Sequence, residues 1–199
     1  MKEIFLNSTI SFIKKYNSYS EREEKLLRYG LEGLYITVTK LVIILLLAVV
    51  LHILKEVILT MIIFNVIRYF GFGFHAEKSY ECLFFSIVCF ILIPLLFINI
   101  DFSLNWSLSI SIFCVLNYLI FAPADTIKRP LPNKKKRLIR KILTVLVGCI
   151  YTFVIGFFNN DYVTALFLSA MVIQTILINP LTYKLFRQPY NNYKFLQKA

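Results

Sequence analysis

The chain has 199 residues, 58% of them hydrophobic, with a mean hydropathy of +0.70 and a formal net charge of +11. Soluble domains are about 45–50% apolar, so this composition excludes an ordinary soluble globular domain. Nor does the charge point to nucleic acid, because membrane proteins gather Lys and Arg in their cytoplasmic loops.

The first residues, Met1 to Leu6, do not read as a signal peptide: Asn7, Ser8 and Thr9 break the apolar patch and no small-residue cleavage site follows. Phe5, Phe12, Ile13 and Tyr16 fall close to one helical face among Lys2, Lys14 and Lys15, a pattern expected of an amphipathic helix lying in the membrane interface. Ser20 to Glu23 then matches a capping box, in which hydroxyl and carboxylate each satisfy a free amide at a helix start. The new helix runs through the charged stretch Glu21 to Arg28 toward the first span.

Apolar blocks of the length that crosses about 30 Å of hydrocarbon follow one another to the end of the chain. They predict an all-α polytopic membrane protein with six transmembrane helices: about Leu34–Leu54, Val57–Phe70, Cys82–Ile100 (bent at Pro94), Leu104–Phe121, Ile142–Phe157 and Tyr162–Ile178. The second is the shortest. The division expected is one membrane domain over 1–199, with 1–33 a cytoplasmic amphipathic region, 34–178 the spans and 179–199 a cytoplasmic tail. Residues 1–33 carry six Lys/Arg and residues 122–141 carry eight, whereas the alternate connections hold only Lys55-Glu56, Asp101 and Asp161. With six spans every basic segment falls on one side, which the positive-inside rule makes cytoplasmic, together with both termini and the 71–81 loop.

The cysteines, Cys82, Cys89, Cys114 and Cys149, lie singly and form no CxxC pair, so neither a disulfide framework nor a zinc ribbon is expected. Cys82 and Cys89 with one histidine are too few ligands for zinc, and no metal or cofactor is expected. Chemistry instead collects in Arg68-Tyr-Phe-Gly-Phe-Gly73-Phe-His75-Ala-Glu-Lys-Ser79-Tyr-Glu-Cys82. Ser79 is a plausible N-cap for the third span, which puts the Cys82 thiol in a first turn where free amides and the helix dipole favour an anion. His75 could take the thiol proton and later hand it to a leaving amine. Seven residues of continuous helix span about 10 Å, too far for a hydrogen bond, so the chain must break between the two. Gly71 and Gly73 permit a turn just ahead of the histidine, and Gly73 leaves room for a substrate backbone. The bland alternative is a lone loop histidine and an inert apolar cysteine. Arg68, costly at the end of an apolar span, would either snorkel or clamp a substrate carboxylate or an oxyanion. His52, at the end of the first span, reads as structural.

Glu23-Glu24-Lys25-Leu26-Leu27-Arg28 fits the EExxxR pattern that opens the motif set of CAAX-type intramembrane proteases. The later histidine motifs of that set are missing, and HExxH, GxSG and GxGD signatures are absent. The whole chain instead resembles the accessory gene regulator protein B (AgrB) family. The resemblance rests on Arg68, on Gly71-Phe-Gly73-Phe-His75-Ala76 and on Cys82. Ala122-Pro123-Ala124-Asp125-Thr126 with Lys128 and Pro130 is similar to the family's central cytoplasmic loop. It implies a membrane cysteine endopeptidase in which Cys82 as nucleophile and His75 as base cut the C-terminal tail from an AgrD-like quorum-sensing propeptide. A Cys82 thioester would then be closed to a thiolactone or lactone. Arg68 and Gly73 match positions the family needs for processing; Lys128 and Arg129, in the basic stretch 128–141, would meet the acidic part of the propeptide. Glu77, Glu81 and Asp125 are candidates for a third catalytic member, and a homodimer is implied. The competing reading is a small membrane transporter or peptide exporter without covalent catalysis. Apart from Lys40 and Arg68 near span ends, the spans hold almost no charge to line a transport path.

Overall fold

A computed structural model describes residues 2–16, 19–75, 78–126 and 130–196. The chain separates into two compact units, 1–47 and 48–199, with the division falling inside a helix.

The first unit is a helix pair. α1 (Lys2–Lys14) returns along the first half of α2 (Glu21–Val50). Lys2 pairs with Glu32 at 2.6 Å, Lys14 with Glu24 at 2.5 Å, and Arg28 with Glu3 and Asn7. The capping box at Ser20 forms as read: the Ser20 amide donates to Glu23 Oε2 at 2.9 Å and the Glu23 amide to Ser20 Oγ at 3.4 Å. The side chains that α1 buries are Leu6 and Ile10, while Phe12 and Tyr16 stay exposed and meet edge-on at 5.3 Å. The stripe that packs is thus not the face read from the sequence, of which Phe5, Phe12 and Tyr16 are exposed. The EExxxR residues are absorbed here. Glu23 caps, Glu24 and Arg28 bridge to α1, and no catalytic arrangement is built from them.

The second unit begins with the last residues of α2 and the turn after it, and continues with α3 (Leu54–Gly71), α4 (Ser79–Ile87), a π-helical turn Val88–Leu92, α5 (Ile93–Ile98), α6 (Leu104–Phe121), α7 (Lys134–Phe158), α8 (Asp161–Ile178), α9 (Pro180–Leu185) and α10 (Tyr193–Leu196). α4, the π turn and α5 make one apolar stretch, Tyr80–Ile98. Pro94 has no amide to continue an α-helical ladder. The ladder widens just before it, where the Ile93 amide bonds the carbonyl of Val88. The bend predicted at Pro94 therefore takes the form of a π turn one step earlier.

α8 is the central helix. It packs against α3, α5, α6 and α7 and buries most of its length, polar Thr164, Ser169, Gln174 and Thr175 included. The outer helices present Ile62, Phe84, Leu96, Phe113, Leu116, Ile150 and Phe153 outward. A polar-bearing centre with an apolar exterior is the arrangement that suits lipid as solvent. Among the described residues five helices are long and apolar enough to cross a membrane: Glu21–Val50, Tyr80–Ile98, Leu104–Phe121, Lys134–Phe158 and Asp161–Ile178. The predicted second span corresponds to α3. It has 18 residues, but Lys55 and Glu56 in its first turn and Arg68 in its last set it apart from those five.

Candidate functional site

The glycine-rich loop leaves α3 and is fixed from several directions at once. The φ of Phe72 is +51° and that of Gly73 +123°, so the backbone here is in the half of φ space that side chains disfavour. Arg68, one turn back, folds over it: Nη1 donates to the Phe72 carbonyl at 2.7 Å and Nη2 to the Phe74 carbonyl at 2.7 Å. Gln174 on α8, completely buried, donates a second bond to the Phe72 carbonyl at 3.0 Å. Arg140 on α7 donates to the Tyr69 carbonyl at 2.8 Å, with its guanidinium 4.3 Å from the Phe72 ring centre. The carbonyls that a helix C-terminus leaves without an intrahelical donor are thereby satisfied by side chains from three helices.

Backbone bonds complete the clamp. Phe72 and Ala124 form a parallel bridge, in which the Gly73 amide donates to Ala124 O at 2.8 Å and the Ala124 amide to Gly71 O at 3.1 Å. The Phe74 amide donates to Leu177 O at 2.7 Å. A Cβ on Gly73 would collide with the Arg68 guanidinium and come within 2.9 Å of Leu177 O, so glycine is required for contact as well as for φ. Arg68 and Gly73 are therefore brought together, with Arg68 shaping the loop.

His75 follows directly and is exposed; Cys82 is half-buried. α4 starts at Ser79, with Lys78 as the residue before it, so the expected N-cap moves by one position. The Cys82 amide takes the first intrahelical bond, to Lys78 O at 3.0 Å. Loop and helix are tied by aromatic rings. Phe74, beside His75, meets Phe85 edge-on at 5.7 Å, and Phe85 lies one turn beyond Cys82 on α4. Phe186 packs on both, at 4.6 Å from Phe74 and 5.4 Å from Phe85. Lys78 lies 3.5 Å from Glu81, and Tyr80 first, then Glu81, raise its pKa from the ordinary value, which keeps a cation at the mouth of the loop.

Asp125 does not stand free to orient a histidine. It is buried, and its carboxylate accepts the amides of Leu131 at 3.3 Å, Asn192 at 3.0 Å and Tyr193 at 2.7 Å. It latches the central loop to the C-terminal segment. Glu81 bridges to Lys78, and Glu77, Lys128 and Arg129 lie outside the described residues. His52 sits exposed in the turn before α3. Among the described residues no three His, Cys, Asp or Glu side chains come together to hold a metal ion.

Gln174 and Arg140 were not singled out from the sequence. Both act on the loop from more than 70 residues away, 102 for Gln174 to Phe72 and 71 for Arg140 to Tyr69. The one available signal was a glutamine in an otherwise apolar span, where a polar side chain needs a partner.

Apolar helices around a buried, polar-bearing α8, with a clamped loop at the end of α3, define a multi-pass helical membrane protein. The family model described as AgrB, accessory gene regulator B, matches residues 6–178, and the chain belongs to that family. It is 34% identical over 168 residues to an AgrB-like protein of Listeria monocytogenes serotype 4a, a match covering 84% of this chain and 82% of that one. A Listeria innocua AgrB-like protein matches equally, at 34% over the same shares. The accessory gene regulator protein B of Staphylococcus epidermidis is 27% identical over 178 residues, covering 86% of this chain and 91% of that one. No solved structure matches the chain.

Proposed function

We propose that this chain is a membrane cysteine endopeptidase that processes an AgrD-like propeptide in quorum sensing. Cys82 attacks the carbonyl carbon at the junction between the ring-forming part of the propeptide and its C-terminal tail. A carbon–sulfur bond forms, the peptide carbon–nitrogen bond breaks, and the thiol proton passes through His75 to the departing amine. The tail leaves and the remainder stays as a thioester on Cys82. An internal Cys or Ser of the bound peptide then displaces the enzyme sulfur, closing a thiolactone or lactone and returning the proton to Cys82. No ATP is needed, because the acyl group passes from one activated bond to another.

The observation that carries this reading is the clamped loop ending at His75 in a chain of the AgrB family. A loop with no catalytic duty would not need Arg68, Arg140 and Gln174 to hold two positive-φ residues in place. Arg68 and Gly73 act as positioning residues, and Lys128 and Arg129 meet the acidic part of the propeptide. The proposal includes α3 as a sixth span, with both termini and the 71–81 loop cytoplasmic, in one membrane domain that pairs as a homodimer. Co-expression with a short AgrD-like precursor, followed by mass, tests the chemistry. Cleavage should vanish with Cys82→Ser and with His75→Ala; intact processing in both variants would rule the peptidase out.

A further inference from the structure

A second site is lined by none of the residues of the glycine loop. The end of α6, the first turns of α7 and the returning C-terminal segment border an open pocket of about 430 Å³. Arg137 and Lys141, one helical turn apart on α7, supply its charge, and Tyr190 and Tyr193 form a wall. That wall is built: the Tyr190 hydroxyl donates to Phe121 O at 3.3 Å, and Tyr193 is held by its amide on Asp125. The Arg137 guanidinium stacks on the Tyr193 ring at 3.2 Å. Stacking occupies the face of the guanidinium and leaves its edge donors directed in the plane, the geometry that suits a phosphate. Among the described residues neither Arg137 nor Lys141 pairs with a carboxylate.

The rim decides what kind of phosphate fits. Ile120 and Leu138 border the cavity at 67% and 58% exposure, and the apolar track continues to Leu116 on α6 and Ile142 on α7. The basic pair thus stands where two apolar helices end, the level that lipid headgroups take when such helices cross a bilayer. We propose that this cavity binds the headgroup of an anionic phospholipid, with the phosphate on Arg137 and Lys141 and the acyl chains along the outer faces of α6 and α7. A soluble acidic peptide would gain nothing from that track. The site is independent of the peptidase reading.

The full chain, purified in detergent and titrated with phosphatidylglycerol, should retain one lipid by native mass spectrometry and retain phosphatidylcholine far less. Arg137→Gln with Lys141→Gln should weaken retention by about tenfold. The swap Arg137→Lys with Lys141→Arg should keep most of it and shows that the fold survives. Lys134→Gln with Lys135→Gln removes the same charge from α7 outside the cavity and should change retention less than about twofold. An equal loss in that control, equal retention of phosphatidylcholine, or displacement of the lipid by inorganic phosphate or a soluble acidic peptide at equal concentration would each overturn the proposal.

Discussion

Two turns of this molecule carry its two histidines, and they are built to different standards. The turn at His52 is closed by two backbone bonds, His52 to Val49 O at 3.0 Å and Ile53 to Ala48 O at 2.9 Å, and His52 itself takes a φ of +58°. The loop before His75 also holds a non-glycine residue at positive φ, yet recruits Arg68, Arg140 and Gln174 besides backbone from the central loop and α8. A chain reversal needs only the first arrangement. The second fixes the coordinates of the residue that follows, and that residue is the proposed base.

The comparison is sharpest at the histidines themselves. His75→Ala should lower precursor cleavage by about 10²–10⁴-fold, the usual contribution of a positioned base, whereas His52→Ala should leave it within about twofold. Cleavage time courses in membranes check both; equal losses would erase the distinction between the turns. Gly73→Ala comes next. Its Cβ meets backbone as well as the Arg68 guanidinium at a φ of +123°, so a cost of about 1–3 kcal/mol should fall on the loop and cleavage should drop by tenfold or more. The fold should survive, as thermal unfolding in detergent would record.

Arg68→Lys keeps the charge but loses the fork that spans the Phe72 and Phe74 carbonyls, so cleavage should fall although membrane insertion does not. If lysine restores full activity, the charge alone matters and the clamp does not. Gln174→Leu should have the smallest effect, because Arg68 still reaches the Phe72 carbonyl. Losing one buried donor should cost about 1–3 kcal/mol and slow cleavage several-fold, with kcat affected more than KM.

Local pattern made much of the fold legible. Five of the six apolar blocks mark helices long and apolar enough to cross a membrane, and the spacing of Ser20 and Glu23 marks a cap that forms as read. Legibility ended where contacts are distant in sequence. Arg68, read as either snorkelling or clamping an anion, turns to carbonyls of its own loop, which hydropathy does not report. Asp125, read as a possible catalytic partner, is engaged by amides of Leu131, Asn192 and Tyr193, two of them near the other end of the chain. Ser79 looked like a cap because serine favours that position, but the helix starts on it instead. The candidate site was found through residue types that carry their own chemistry, His and Cys beside glycines; the supports that hold the loop were not, because their role exists only in three dimensions.

The central claim is that Cys82 carries the acyl group. Incubating the membrane-embedded chain with its precursor and measuring intact mass after rapid acid quench tests it directly. The account predicts an adduct equal to the precursor lacking its tail, mapped to Cys82, released by neutral hydroxylamine and missing from Cys82→Ala. Cleavage that proceeds in Cys82→Ala, or an adduct mapped to Cys89, Cys114 or Cys149, would contradict it.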